Sequence, residues 1–199
     1  MVTIYGSVQS RTATGLWTAR ELGLDFTHKN YATRGPETQS EEYLALNPTG
    51  KVPTLVDGDL VLTESAAICF YLARQYGNGK LLGDNAREEG KVMQWVLFAM
   101  TEIDPFAFQL MLEGHYREGG PNEGFCTECK DWLSGSLKTL DKALEGKDWL
   151  MGDKLTLADI IGIQEANFAA FTGADLSPYA NVQNWIARGT SRPAHPNNM

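Results

Sequence analysis

Cysteine is scarce in this sequence, with three residues among 199. Three cysteines are too few for a disulfide scaffold and indicate a reducing compartment. No stretch reaches the roughly 18 consecutive apolar residues that a membrane-spanning helix needs. The first six residues, MVTIYG, lack the charged and apolar segments of a signal peptide. From these absences we expect a soluble cytoplasmic protein with no membrane partner.

Basic residues are also in the minority. The chain has 17 Lys and Arg against 25 Asp and Glu, which gives a net charge of −8. No stripe of Lys and Arg is found anywhere along it, and this argues against a nucleic-acid partner. The apolar fraction of 43% is that of an ordinary globular protein. A chain of this length fits one large domain or two small ones.

The first part of the chain alternates between strand and helix patterns. Short β-branched and apolar runs predict strands at 2–5, 26–31, 52–56 and 60–62, the last two joined by an Asp-Gly turn. Apolar residues at helical spacing predict helices between and after these strands. The order βαβαββα indicates an α+β domain with one mixed sheet, in which the first two strands are parallel.

The character of the sequence changes after a glycine-rich segment near residue 80. We expect a first domain at 1–78, a linker at 79–86 and an all-helical domain at 87–199. Apolar residues at helical spacing predict the first helix of that domain; they are Met93, Val96, Leu97 and Met100. Pro105 should bend or end this helix. Thr156 and Asp159 predict a later helix start with a carboxylate form of the capping box.

The segment NPTGKVPTL, at residues 47–55, opens the third predicted strand with a proline. Pro53 cannot donate a hydrogen bond to a strand ladder, so it belongs at a strand start or a sheet edge. If the bond before it is cis, the backbone of Val52 is free to pair with an extended peptide-like ligand. An ordinary turn proline explains the local sequence equally simply.

Glu64 and Ser65 stand directly before a predicted helix. The unpaired N–H groups of a helix N-terminus suit a carboxylate ligand, and Ser65 can add a hydroxyl donor. Glu64 can face an ammonium group, so the pair suits the amino-acid end of a zwitterion. The alternative is simple capping of the helix by Thr63 or Ser65.

Together, NPTGKVPTL and the following ESAAICFYLA resemble the glutathione-binding half of the glutathione S-transferase superfamily. The thioredoxin-like order of elements, the LTLADI helix start and the closing Arg192-Pro193-Ala194 are also similar to that family. The resemblance implies that Pro53 is cis. It also implies that Lys51, Val52 and Pro53 contact glutathione, the Val52 backbone pairing with its cysteinyl part, while Glu64 and Ser65 hold its γ-glutamyl end.

The catalytic group of this family lies in the loop after the first strand, here Ser7 to Thr12. The chemistry needs a donor that stabilises the glutathione thiolate, because the thiolate is the nucleophile. We expect Ser10 to be that donor, with Thr12 the second choice and Ser7 the third, and Arg11 to add positive charge. From the sequence alone, a helix cap is an equally good explanation of Ser10. The loop has no cysteine, which disfavours thiol-transfer chemistry and the isomerase class.

The second substrate should contact the helix after Pro105, where Phe106, Gln109 and Leu110 are the candidates. Their mixed character suggests an apolar electrophile. No metal or covalently bound cofactor is implied, and Cys126 and Cys129 are interpreted as incidental because a single CxxC makes a poor zinc site.

The resemblance implies a cytosolic glutathione transferase and homodimer of a Ser-type bacterial or fungal group, with glutathione as cosubstrate. Alternatives are a glutathione-dependent peroxidase, isomerase or lyase of the same superfamily, or a non-catalytic interaction module.

Overall fold

The computed structural model describes residues 1–198, which divide into two units. The first comprises residues 1–82 together with 192–198, and the second comprises residues 83–191. The strands of the first unit are β1 (Val2–Tyr5), β2 (Phe26–Lys29), β3 (Thr54–Asp57) and β4 (Leu60–Thr63). Its helices are α1 (Thr12–Glu21), α2 (Glu41–Leu46) and α3 (Ser65–Tyr76). The predicted order βαβαββα is confirmed.

The four strands form one mixed sheet in the order β2-β1-β3-β4. β1 is parallel to β2 and antiparallel to β3, and β3 is antiparallel to β4. Tyr5 pairs with Thr54, and Thr54 pairs with Thr63. These three residues therefore form one row across the sheet. The segments that follow Tyr5, precede Thr54 and follow Thr63 therefore all leave the sheet at the same end of the strands.

Apolar side chains fix the helices on the sheet. Alternate residues of β1 point to one face, and helical spacing places the apolar residues of α1 and α3 against that face. The resulting core, in which every side chain is at most 2% exposed, comprises Val2, Ile4, Leu16, Ala19, Leu55, Ile68 and Leu72. Because α1 packs here, its N-terminus is held next to the end of β1.

The observed strand ends differ slightly from the predicted ones. β2 ends at Lys29 rather than at residue 31, because Tyr31 turns to pack against Tyr5 and Tyr43, with ring centroids 5.4 and 5.6 Å away. β3 begins at Thr54 rather than at residue 52, since the backbone before it leaves the ladder. The Asp-Gly turn is present, with Gly58 at φ +62°.

The second unit is helical, as predicted. Its helices are α4 (Ala86–Phe98), α5 (Asp104–His115), α6 (Glu123–Ala143), α7 (Leu157–Phe171) and α8 (Ala180–Thr190). A π-helical turn, Ala99–Ile103, joins α4 to α5. Pro105 lies in the first turn of α5, where a backbone N–H has no partner within the helix. The predicted bend is therefore a change of helix type just before the proline.

Only one of the apolar stripes of α4 is buried. The buried side chains along α4 and the π-helical turn are Val92, Val96, Ala99 and Ile103. Met93 and Leu97, which share the helical spacing of Val96, are 39% and 53% exposed. Two neighbouring apolar stripes run along this helix, and packing against α7, which has apolar residues on almost every side, selects one of them.

The continuous helical run Ala86–His115 is long and apolar enough, by length and composition, to cross a membrane. The sequence-based expectation did not foresee this. Its most apolar window has a mean hydropathy of 1.2 and is 33% buried inside the structure. Core helices of soluble proteins meet the same criteria, so a single such helix is weak evidence for a membrane span.

The start of α7 is held by one buried carboxylate, and the predicted cap is confirmed. Asp159 Oδ2 accepts hydrogen bonds from the Thr156 N–H (2.8 Å) and the Thr156 hydroxyl (3.0 Å). Asp159 Oδ1 accepts from the Leu150 N–H (2.8 Å) and from Trp185 Nε1 (3.0 Å). Asp159 thus joins the start of α7 to the preceding loop and to α8.

Residues 192–198 pack on α1 and belong to the first unit, whereas the predicted boundaries assigned them to the helical domain. Arg192 donates two hydrogen bonds to the Glu21 carboxylate, at 2.5 and 2.8 Å. Arg20 donates to the carbonyl oxygens of Pro193 (3.0 Å) and His195 (3.3 Å). These contacts join residues that are more than 170 positions apart, which local sequence patterns cannot indicate.

His195 is the buried centre of this C-terminal segment. It is 2% exposed, and its ring meets the Trp17 ring edge to face at 4.8 Å. Its Nδ1 accepts from the Asn197 N–H at 3.2 Å, and its Nε2 has no partner within residues 1–198. Burial, together with the Arg20 guanidinium, lowers the pKa of His195 below 6.5.

We therefore expect mild acid to destabilise the protein through His195. The unfolded chain takes up a proton near pH 6.5 that the folded protein resists, so stability is lost as the pH falls through about 6.5 toward the lower pKa of the folded state. Burial opposes ionisation of Glu21, but hydrogen bonds from Arg192 and Trp17 outweigh it and hold that pKa below 4.5. Glu21 therefore stays charged in this range.

The measurement is the thermal midpoint across this pH range for the wild type and His195→Gln. The variant should lose less stability on acidification. His115→Gln, which changes an exposed histidine of α5, should behave like the wild type. An equal acid loss in the wild type and His195→Gln would remove His195 as the cause.

Candidate active site

Gly6, directly after β1, is the point where two predicted site segments meet. Its N–H donates to the Lys29 carbonyl (2.9 Å), and its carbonyl accepts from His28 Nε2 (2.7 Å). A Cβ atom placed on Gly6 would lie 2.0 Å from Thr12 Oγ1 and 2.8 Å from Val52 Cβ. The lack of a side chain at Gly6 thus allows Thr12 and Val52 to approach the end of β1.

Ser10 is held in a tight turn before α1. Its N–H donates to the Ser7 carbonyl (3.1 Å), and its own carbonyl accepts from the Ala13 N–H (3.0 Å). The Ser10 hydroxyl has two acceptors within reach, the Ser7 carbonyl and Thr12 Oγ1, each at 2.8 Å. Its oxygen accepts from the Thr12 N–H at 3.2 Å. Ser10 therefore caps the start of α1 and still presents a hydroxyl on a half-buried residue.

The other residues of this loop differ from Ser10 in access. Thr12 is fully buried, so its hydroxyl does not face solvent. Ser7 and Arg11 are half-buried. The Arg11 carbonyl accepts a hydrogen bond from the Thr14 hydroxyl at 2.9 Å, which ties its backbone to the first turn of α1. Of the two preferred donors, Ser10 and Thr12, only Ser10 is accessible from outside.

The peptide bond between Val52 and Pro53 is cis, as the family resemblance implies. Pro53 is buried and Val52 half-buried. Neither the N–H nor the carbonyl of Val52 has a hydrogen-bond partner among residues 1–198. A free donor and a free acceptor on one residue can pair with an extended ligand as a neighbouring strand would.

A buried polar network that sequence analysis missed supports this segment from behind. The Lys51 carbonyl accepts from the Tyr43 hydroxyl (2.6 Å) and from Asn47 Nδ2 (2.8 Å). Both donors also contact Thr54 Oγ1, at 2.8 and 3.1 Å. All three side chains are at most 2% exposed. In the sequence, the sign of this network was the position of Asn47 between a short helix and a loop that contains proline and glycine. The Lys51 side chain itself is exposed.

Glu64 has a backbone conformation that is rare for a residue with a side chain, with φ +66° and ψ 117°. Such conformations store strain and concentrate at functional sites. Ser65 follows as the first residue of α3 and is 4% exposed. Its hydroxyl makes no hydrogen bond within residues 1–198, and Thr63 lies in β4.

The capping alternative for this segment is therefore not observed, because no side chain caps α3. The first N–H groups of α3, a 12-residue helix, and the Ser65 hydroxyl both lie at the N-terminus of that helix. This arrangement suits a carboxylate. The exposed Glu64 side chain supplies a negative charge beside it.

The three candidates for the second substrate lie on α5 but differ in their exposure to solvent. Phe106 stacks on Trp132 of α6, with centroids 5.4 Å apart and an interplanar angle of 5°. Gln109, three residues later, is exposed. Leu110 is 5% exposed and belongs to the core of the second unit. The contact of Leu110 with a ligand stays a prediction.

The three cysteines lie in buried positions. Within residues 1–198, no three His, Cys, Asp or Glu side chains are grouped as metal ligands. Cys69, Cys126 and Cys129 are buried free thiols. Burial raises the pKa of Cys69 to about 11, so its thiolate is scarce at neutral pH.

Gly6→Ala should destabilise the protein by more than about 2 kcal/mol, because the added methyl group clashes with Thr12 and Val52 and because φ is +130°. Gly23→Ala is the matched control. It has φ +67° but open space around the added group, so it should cost about 1 kcal/mol. Chemical denaturation measures both. Equal losses would show that the backbone angle alone requires glycine at position 6.

Comparisons with known proteins agree with this architecture. Residues 1–74 match the family described as glutathione S-transferase, N-terminal domain, and residues 103–193 match its C-terminal domain. A glutathione S-transferase of Emericella nidulans is 35% identical over 162 residues, which cover 77% of this chain and 71% of that protein. Glutathione S-transferase F10 of Arabidopsis thaliana is 33% identical over 165 residues, which cover 80% and 77% of the two chains.

A solved structure extends the match to three dimensions. The theta class glutathione S-transferase of Xanthomonas axonopodis pv. citri, with glutathione bound, has a TM-score of 0.85 and 28% sequence identity to this chain. The match covers 98% of this chain and 95% of that one. By both of its domains and by relatives that span most of its length, the chain belongs to the glutathione S-transferase family of enzymes.

Proposed function

We propose that this enzyme adds the thiolate of glutathione to an apolar electrophile, with Ser10 as the thiolate-stabilising donor. The observation that carries the proposal is the row Tyr5–Thr54–Thr63 at one end of the strands. The Ser10 loop, the cis Val52–Pro53 bond and the start of α3 all begin just beyond this row. They supply a hydroxyl donor, a free backbone donor and acceptor, and a helix N-terminus at one end of the strands, and a tripeptide ligand can contact all three.

The γ-glutamyl end of glutathione carries both a carboxylate and an ammonium group. In the proposed complex the carboxylate accepts hydrogen bonds from the Ser65 hydroxyl and from the first N–H groups of α3, where the helix dipole also favours a negative charge. The ammonium group faces Glu64. The unbonded Ser65 hydroxyl and the strained Glu64 backbone support this assignment.

The cysteinyl part of glutathione pairs with the free N–H and carbonyl of Val52 in this proposal. Such pairing fixes the direction of the tripeptide and so the position of its sulfur. The Tyr43–Asn47–Thr54 network keeps the Lys51 carbonyl in place, which steadies the Val52 backbone next to it. The exposed Lys51 ammonium group is assigned to the remaining carboxylate of glutathione.

Thiolate formation is the chemical step that the site must favour. A hydrogen bond from Ser10 to the sulfur stabilises the charged form and lowers the pKa of the thiol. Arg11 is assigned the supporting role of a positive charge near the sulfur. No proton acceptor is needed in the attack itself, because the thiolate already carries the electron pair that forms the new bond to carbon.

The electrophile is assigned to Phe106 and Gln109 on α5. Phe106 and Trp132 offer an apolar aromatic surface, with Trp132 58% exposed. The adjoining Gln109 amide can hydrogen-bond a polar substituent. This combination favours apolar electrophiles with one polar group. We also infer a cytoplasmic homodimer from the family resemblance.

Ser65→Ala should weaken glutathione binding by roughly tenfold or more, the usual loss for a hydrogen bond to a charged group. Isothermal titration calorimetry gives the affinity directly. Ser191→Ala, which changes an exposed serine outside the site, serves as the control. Unchanged affinity in Ser65→Ala would refute the carboxylate assignment.

Ser10→Ala should shift the pH dependence of kcat/KM toward alkaline pH by roughly one pH unit or more, because the bound thiolate loses a charge-assisted hydrogen bond. An aryl halide is a suitable electrophile for the assay. Ser7→Ala should leave the profile unchanged, since no hydrogen bond of the Ser7 side chain supports the turn. A shift in Ser7→Ala but not in Ser10→Ala would assign the donor role to Ser7.

A further inference from the structure

We propose that Thr12 is a positioning residue that donates a hydrogen bond to Ser10 when Ser10 turns toward the glutathione sulfur. This inference rests on the proposed role of Ser10. It assigns to Thr12 no contact with either substrate. Thr12 acts only through the hydroxyl of its neighbour.

The first observation is the distance between the two hydroxyl groups. Ser10 Oγ and Thr12 Oγ1 are 2.8 Å apart, a hydrogen-bond distance. Two hydroxyl oxygens this close must have a hydrogen atom between them, because otherwise their lone pairs face each other. Ser10 has one hydrogen and a second acceptor, the Ser7 carbonyl, at the same 2.8 Å, so the shared hydrogen comes from Ser10 only while Ser10 does not donate to Ser7.

The second observation is the isolation of the Thr12 hydroxyl. Thr12 is 0% exposed, and Oγ1 makes no hydrogen bond other than the one from Ser10 within residues 1–198. Ser10 Oγ is therefore the acceptor within reach of the Thr12 hydrogen atom, which stays unbonded only while Ser10 donates to Thr12. A buried donor without a partner is unfavourable.

These two observations give the hydroxyl pair two alternative states. When the Ser10 hydrogen turns to the sulfur, a hydrogen is still required between the two oxygens, and Thr12 must now supply it. The buried Thr12 donor then has Ser10 Oγ as its acceptor. The sequence of donors becomes Thr12 hydroxyl to Ser10 hydroxyl to thiolate. Only O–H bonds rotate, and no covalent bond forms or breaks.

This arrangement makes Ser10 a stronger donor. Hydrogen bonds in a chain polarise one another, and the effect is greater where water is excluded. The Thr12 N–H already donates to Ser10 Oγ at 3.2 Å, so the oxygen would accept two hydrogen bonds while it donates one. A hydroxyl in that position stabilises the thiolate more than an isolated one.

The sheet holds the Thr12 oxygen in place. Gly6 is fixed on both sides by hydrogen bonds, to the Lys29 carbonyl and from His28. Thr12 Oγ1 lies against it, at the place that a Gly6 side chain would occupy. The Thr12 oxygen therefore has little room to move away from Ser10.

The test compares Thr12→Val and Thr12→Ala, which remove the hydroxyl, with Thr12→Ser, which keeps it. The ultraviolet absorbance of the thiolate, followed against pH, gives the pKa of bound glutathione. Removing the hydroxyl should raise this pKa by about half to one pH unit and lower kcat/KM about three- to tenfold, as expected for one hydrogen bond. Thr12→Ser should match the wild type. The affinity for glutathione should stay within about twofold throughout.

Each outcome has a distinct meaning when Ser10→Ala is measured alongside. If Ser10→Ala raises the pKa and Thr12→Val and Thr12→Ala do not, the positioning role is refuted and the role of Ser10 stands. If Ser10→Ala has no effect, the proposed function of Ser10 fails. If Thr12→Ser shows the same loss as Thr12→Val, keeping the hydroxyl does not preserve the effect, and the inference is overturned. In the double variant Ser10→Ala/Thr12→Val, the pKa of bound glutathione should be the same as in Ser10→Ala alone.

Thr12→Ala keeps the test valid if the larger valine disturbs packing, because it adds no atoms to the buried site. The thermal midpoint and the glutathione affinity of each variant report directly on folding. A raised thiol pKa in a variant that keeps both is the supporting result.

Discussion

The absence of a side chain at Gly6 is the constraint on which this site depends. The glycine is anchored to β2 through its N–H and carbonyl groups, so it cannot move to make room. Thr12 and Val52 close on it from two directions. The loop that carries the proposed donor and the backbone that is proposed to bind the ligand are therefore positioned against one common point. Any larger residue would separate them.

The proposed complex combines side chains with backbone groups of Val52 and α3 that lie at one end of the strands. Strand pairing places Tyr5, Thr54 and Thr63 in register, and this brings together segments that are up to about 60 residues apart in the chain. The side chains around them mainly fix the backbone: Tyr43, Asn47 and Thr54 hold the Lys51 carbonyl. This division explains how relatives of modest sequence identity can share one arrangement.

Local patterns in the sequence were sufficient for the order of elements, for the Thr156 cap and for the segments that form the candidate site. They could not fix the buried face of α4, because two adjacent apolar stripes compete and tertiary packing decides between them. They also missed the contact between Gly6 and Thr12 and the network around Lys51, which depend on residues brought together by the fold. The catalytic and binding roles of Ser10, Glu64 and Ser65 stay predictions.

The return of residues 192–198 to α1 makes the first unit discontinuous in the chain. During synthesis the ribosome produces residues 1–82 first and then the whole of 83–191. Until Arg192 and His195 emerge, Glu21 lacks its Arg192 partner and the part of Trp17 that His195 contacts is uncovered. The unit proposed to bind glutathione is thus completed only after residues 83–191 have been synthesised, which couples its maturation to that of the helical unit.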